Sequence, residues 1–131
     1  MINIKKFEFK KSYEEVELAG KVYKIELNDE RMLVYMKAFD KFYTKSNELH
    51  EIETEKLDIK AQEEVLNEMA EMIKEILDLL LGKGAYDELY EKSGQSVINM
   101  VDVVLFVGDV VGERMEQSRE EKKQQYVKKK I

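Results

Sequence analysis

Five apolar residues, Leu66, Met69, Ile73, Ile76 and Leu80, recur at spacings of 3, 4, 3 and 4, and that rhythm admits one local structure. A strand repeats every second residue, whereas an α-helix brings every third or fourth residue onto one face. Val65, Met72, Leu77, Leu79 and Leu81 widen the stripe toward its end, which suits a packed bundle better than a two-stranded coil. The face is also wider than one short partner helix covers. Gly82 is placed to end this helix as a left-handed cap. The chain of 131 residues holds no proline, the residue that breaks helices.

A second segment tests the helical reading harder. Residues 97–111 are rich in valine and isoleucine, which favours a strand. The polar residues point the other way. Asn99, Asp102, Asp109, Glu113 and Glu116 follow one another at spacings of 3, 7, 4 and 3, so a helix gathers them on one side. A strand would put Asp102 and Asp109 on opposite faces and bury one carboxylate, at a cost of several kcal/mol. The segment is therefore expected to be a helix running from a Ser96 cap past Arg119, with Val101, Val104 and Val111 inward. A further helix is expected after Asn28, whose side chain caps it while Asp29 and Glu30 favour its positive end. Its stripe is Met32, Tyr35/Met36, Phe39, Phe42/Tyr43 and Leu49, opposite Arg31, Lys37, Asp40 and Lys41. The polar segment 50–60 is expected to contain a break. Between Gly84 and Gly94, Tyr86, Leu89 and Tyr90 mark a short amphipathic turn.

The first 27 residues alternate instead. Phe7 and Phe9 point one way, Glu8 and Lys10 the other. Residues 12–18 and 21–27 flank Ala19-Gly20, and a two-residue loop there pairs Leu18 with Lys21 and Val16 with Tyr23, and sets Glu14 opposite Ile25. Gly20 supplies the positive φ of such a turn. An isolated hairpin is marginal in water, so this one is expected to pack on the helices. The fold expected is one mainly α domain spanning 1–131. It comprises a β-hairpin region (1–27) packed on a bundle-like body of three to four helices (28–119) and a flexible charged tail (120–131).

The chemical vocabulary is small. With no cysteine and one histidine, disulfides, thiolate metal sites, cysteine nucleophiles and multi-histidine centres are excluded. His50 lies among Glu48, Glu51 and Glu53 and is read as solvated. Gly82-Lys83-Gly84 lacks the spacing and the preceding strand of a phosphate loop and is read as a cap and linker. The acidic row on the last helix is read as a solvated face rather than a carboxylate pair, which needs a pocket and a shifted pKa. No catalytic set, cofactor site or metal site is expected. Phe106, ringed by charges, is either a single exposed aromatic or an anchor for a partner. Tyr86, Leu89 and Tyr90 are either a docking element or, preferentially, a lid over the end of the core. These four are the candidate partner-binding residues.

The net charge is −6, which opposes nonspecific binding to phosphate backbones. Residues 113–131 carry seven basic against four acidic side chains, leaving the body more acidic than the whole. Residues 1–11 are basic, but no apolar stretch of a signal peptide follows. The most apolar segment, 97–111, is too short and too charged to span a bilayer. A cytoplasmic protein is expected, with no nucleic-acid or membrane partner. The unpaired strand edge and the broad Leu66–Leu80 face favour self-association.

The order of parts resembles the tail assembly chaperones of long-tailed phages and prophages of Gram-positive bacteria. The likeness lies in an opening strand Phe7-Glu8-Phe9, the stretch from Leu18-Ala19-Gly20 to Leu27, an acidic-capped helix, the stretch from Leu80-Leu81-Gly82-Lys83-Gly84 to Tyr90, an apolar helix and a charged tail. It covers nearly the whole chain. It implies a non-enzymatic, mostly helical protein that works in the host cytoplasm and is absent from the finished virion. Such proteins coat the tape measure protein, recruit tail tube protein and associate into spirals or small oligomers. It also implies a longer form made by ribosomal frameshifting, for which Lys128-Lys129-Lys130 is the expected site. Two other readings stand beside it: a small helical regulator or inhibitor that binds a host protein, and a DNA-associated accessory protein using its basic C-terminal tail.

Overall fold

The computed structural model describes the backbone of residues 3–51 and 58–129, and side chains over 3–49 and 58–116. Two strands, β1 (Tyr13–Leu18) and β2 (Lys21–Glu26), are followed by four helices: α1 (Asp29–Glu51), α2 (Ile59–Leu81), α3 (Ala85–Lys92) and α4 (Val97–Lys129). The architecture is the expected one, a hairpin set before and against a helical body.

The hairpin has the expected register, with Leu18 opposite Lys21, Val16 opposite Tyr23 and Glu14 opposite Ile25. Both loop residues have positive φ, 51° at Ala19 and 83° at Gly20. That is the requirement of the turn whose twist matches the strands. Val16, Leu18, Tyr23 and Ile25 fill one face and are buried, while Glu15, Glu17 and Lys24 on the other are exposed. Residues 3–11 differ from the expected opening strand: they join no sheet. Phe7 and Phe9 do lie on one side, ring against ring at 5.0 Å, but they are 79% and 89% exposed. The hairpin offers them no third strand to pair with.

Helix α1 starts as its sequence dictates, with the Arg31 N–H donating to Asn28 Oδ1 at 2.9 Å. It lies antiparallel to α2, as ion pairs from Lys41 to Glu75 and from Lys45 to Glu68 show. Helix α1 ends at Glu51 and α2 begins at Ile59. The break expected in that segment falls largely on 52–57, outside the described residues. Asp58 caps α2, accepting from the Ala61 N–H at 2.7 Å. Gly82 ends α2 with φ 112° and ψ 153°, so it is not the left-handed cap expected. The left-handed residue is Gly84, at φ 90° and ψ −5°, where α3 begins.

Segment 97–111 is helical, and Ser96 caps it through the Asn99 N–H. Met100, Val104, Val107 and Val111 face inward, and Asp102 and Asp109 face solvent. Val101, expected to be buried, is half-buried because it borders an open groove. The helical backbone continues through Lys129, so most of the segment expected as a flexible tail has helical backbone. Helix α4 runs antiparallel to α1: its Gly108 meets Phe39 and Tyr43, and Arg114 and Met115 share a cleft with Asp29 and Met32. The core between these elements is continuous from the hairpin face to Ile73, Leu77, Met100 and Val104. No polar or charged residue is buried among the described residues.

Candidate functional site

The four candidate partner residues divide. Tyr86 and Leu89 are 7% and 3% exposed and lie against the end of the core, the lid position preferred from the sequence, which leaves little of either side chain for docking. The cause is local. Asp78 Oδ1 accepts from the Tyr86 N–H at 2.9 Å, supplying the cap that Gly84 cannot, and this pins α3 down on α2. Tyr90 is half-buried and stacks on Tyr86 at 5.6 Å with the rings 10° apart. Burial pushes the Tyr86 hydroxyl above its ordinary range, helped by neighbouring Tyr90 and Asp87. Phe106 stays at the surface, 47% exposed.

Two apolar surfaces are larger than these candidates. The first follows the seam of α1 and α4. Tyr43 touches Gly108, and Leu105 lies one turn before Gly108 on the same helix face. Met36 lies two turns before Tyr43 on α1. Met36, Tyr43 and Leu105 are 48%, 44% and 43% exposed. The second surface is a groove of about 610 Å³ between the first half of α2 and the start of α4. Ile59, Leu66, Met69, Val97, Ile98 and Val101 supply most of its lining, with Glu63 at its rim. It forms because the Leu66–Leu80 stripe outruns its partners: Ile73, Ile76 and Leu80 are buried, whereas Leu66 is 50% exposed. The excess width of that stripe was visible in the sequence. That Val97 and Val101 would wall a groove beside it was not.

At the other end of the body the charged groups are structural. The Lys21 ammonium donates to Glu88 at 2.9 Å. This hydrogen bond holds the Glu88 carboxyl below its ordinary value and raises the lysine. The buried Tyr23 hydroxyl lies nearby and is shifted upward, mainly by burial and then by the Glu88 charge. Among the described residues, no group of three or more histidine, cysteine, aspartate or glutamate side chains could hold a metal ion. The His50 side chain lies outside the described residues. No described helix is long and apolar enough to cross a membrane. No protein-family model, curated protein or solved structure matches the chain.

Proposed function

We propose that this protein is a non-enzymatic tail assembly chaperone acting in the host cytoplasm, holding the tape measure protein soluble and helping to recruit tail tube subunits around it. The observation that carries the reading is the exposed apolar strip of Met36, Tyr43 and Leu105 along the α1–α4 seam, in a chain whose net charge is −6. An apolar strip with methionine in it accepts helical partners of varied sequence, because the unbranched thioether repacks easily. The acidic surroundings keep the loaded complex soluble. The order of parts along the chain supports the same reading.

The test is co-expression with the product of a long, helix-rich reading frame adjacent to this gene. The tape measure protein is expected to stay soluble and to copurify with the chain. The double variant Met36→Glu, Leu105→Glu is expected to lose it, while its circular dichroism stays that of the parent. A tape measure protein that is equally soluble alone, or that binds the double variant as well as the parent, would overturn the proposal.

A further inference from the structure

The groove between α2 and α4 and the arm before β1 complement each other. The arm, residues 3–11, exposes Ile4, Phe7 and Phe9 by 75%, 79% and 89%, and it carries Lys5, Lys6, Lys10 and Lys11 against Glu8. The groove is apolar at its floor with Glu63 at its rim, in a chain whose net charge is −6. A basic, aromatic segment thus matches an apolar cleft whose charged lining residue, Glu63, is acidic. Size agrees as well. A cavity of about 150 Å³ takes one benzene ring, so a groove of about 610 Å³ has room for both phenyl rings with the backbone between them.

The arm lies outside its own groove, with Ile4, Phe7 and Phe9 exposed, and chain length keeps the two phenyl rings from its depth. Arg114 of α4 donates to the Lys11 carbonyl, which anchors the root of the arm at the hairpin end. From Arg114 back to Val101, the nearest groove residue on α4, the helix spans about 20 Å at 1.5 Å per residue. An extended chain covers at most about 3.6 Å per residue, so from Lys11 the Cα of Phe9 gets about 7 Å and that of Phe7 about 14 Å. Phe9 falls far short, and Phe7 meets only the near rim at full stretch.

We infer that the groove between α2 and α4 receives the N-terminal arm of a second copy of this chain, with Phe7 and Phe9 as the anchors. Arm and groove lie at opposite ends of the body, so the contact joins unlike surfaces. Such a contact closes by reciprocal exchange or runs on from copy to copy. It does not use the α1–α4 strip, and it stands whether or not the chain binds a tape measure protein.

Sedimentation of the full chain from micromolar to millimolar concentration tests this. The parent is expected to associate. Phe7→Ser with Phe9→Ser removes the anchors, and Ile98→Glu blocks the groove at a residue 76% exposed; Ile59→Glu, at 85% exposure, is the second groove variant should the first not fold. Each is expected to weaken association roughly thirtyfold or more, the effect of losing a buried aromatic anchor. Mixing the arm variant with the groove variant restores one intact contact and should give a complex that stops at one copy of each. A parent that stays monomeric throughout, variants that associate like the parent, or a mixture that forms no such complex would each overturn the inference.

Discussion

Arg114, near the middle of α4, donates from Nη1 to Glu14 Oε1 of β1 at 2.6 Å, across a separation of 100 residues. The same guanidinium reaches the Lys11 carbonyl. This arginine therefore fastens the last helix to the first strand, and it does so at a partly shielded position, with 26% of its side chain exposed. Charged hydrogen bonds of this kind stabilise more than surface ion pairs do. Arg114→Ala is expected to cost about 1–2 kcal/mol. Lys6→Ala, on the exposed arm, is expected to change stability by less than about 0.5 kcal/mol. Chemical denaturation of both variants checks this, and equal midpoints would refute the fastening role.

Gly108 and Gly112 are one turn apart on α4, yet they should respond oppositely to substitution. A Cβ on Gly112 would meet nothing within 4 Å, whereas one on Gly108 would lie 3.2 Å from the Tyr43 hydroxyl and 3.3 Å from Phe39 Cε1. Gly112→Ala should therefore gain the helix propensity that glycine forfeits, about 0.5–1 kcal/mol. Gly108→Leu should drive a branched side chain into the aromatic pair and cost about 1–3 kcal/mol. Thermal unfolding of the two variants gives the comparison directly, and a Gly108→Leu protein as stable as the parent would mean that the α1–α4 contact is looser than described.

The phase of α4 leads to a third contrast. Val104 is fully buried and Asp109 exposed. Asp109→Ala should move stability by no more than about 0.5 kcal/mol, as at other surface sites. Val104→Asp places an unpaired charge in the core and should leave the protein largely unfolded near neutral pH. Far-ultraviolet circular dichroism distinguishes the two, and a folded Val104→Asp protein would contradict the helical phase.

These contrasts mark what the sequence made legible. Periodicity found the helix at 97–111 despite its β-branched residues, because two aspartates impose a stricter condition than seven valines. The hairpin register followed from alternation around Ala19-Gly20. Capping found Asn28 and Ser96, whose partners lie within three residues. Contacts made by single polar side chains across long separations were invisible. Arg31 sits on the nominally polar side of α1, yet its guanidinium donates to the Leu79 carbonyl at 2.7 Å, meeting one of the carbonyls that the end of α2 leaves unpaired. Asp78 caps a helix that begins after the next turn. The arm was misread as a strand because alternation records which side chains share a face. It does not record whether a neighbouring strand is there to pair with.

Tyr23 isolates the cost of a buried hydroxyl. Its ring is 5% exposed, and its hydroxyl has no hydrogen-bond partner among the described residues. An unpaired buried donor is penalised, and removing it while keeping the shape is neutral or favourable. Tyr23→Phe should therefore leave stability equal or raise it by up to about 1 kcal/mol. A clear loss of stability on denaturation would show that the hydroxyl has a partner that holds the hairpin in place.

The pH dependence follows from the same corner of the fold, where Lys21 of the hairpin meets Glu88 of α3. The hydrogen bond lowers the Glu88 carboxyl from its ordinary 4.5 and raises Lys21 from its ordinary 10.5. A carboxyl lowered on folding contributes stability that is present above its unfolded value and is lost as pH falls through the folded one. An ammonium raised on folding contributes stability that is complete below its unfolded value and is lost as pH rises through the folded one. The pair therefore contributes fully between 4.5 and 10.5 and fades outside that window on both sides. The hydroxyls of Tyr23 and Tyr86, raised from their ordinary 10.0 by burial, add to the alkaline loss, because ionising either would put a charge into the core. Melting temperatures of the parent and of Glu88→Gln across the pH range test this. The gap between them is expected to be constant near neutrality and to close below 4.5, where the parent's carboxyl takes up its proton. A gap that persists unchanged into acid would show that the hairpin is held against α3 by packing rather than by this ion pair.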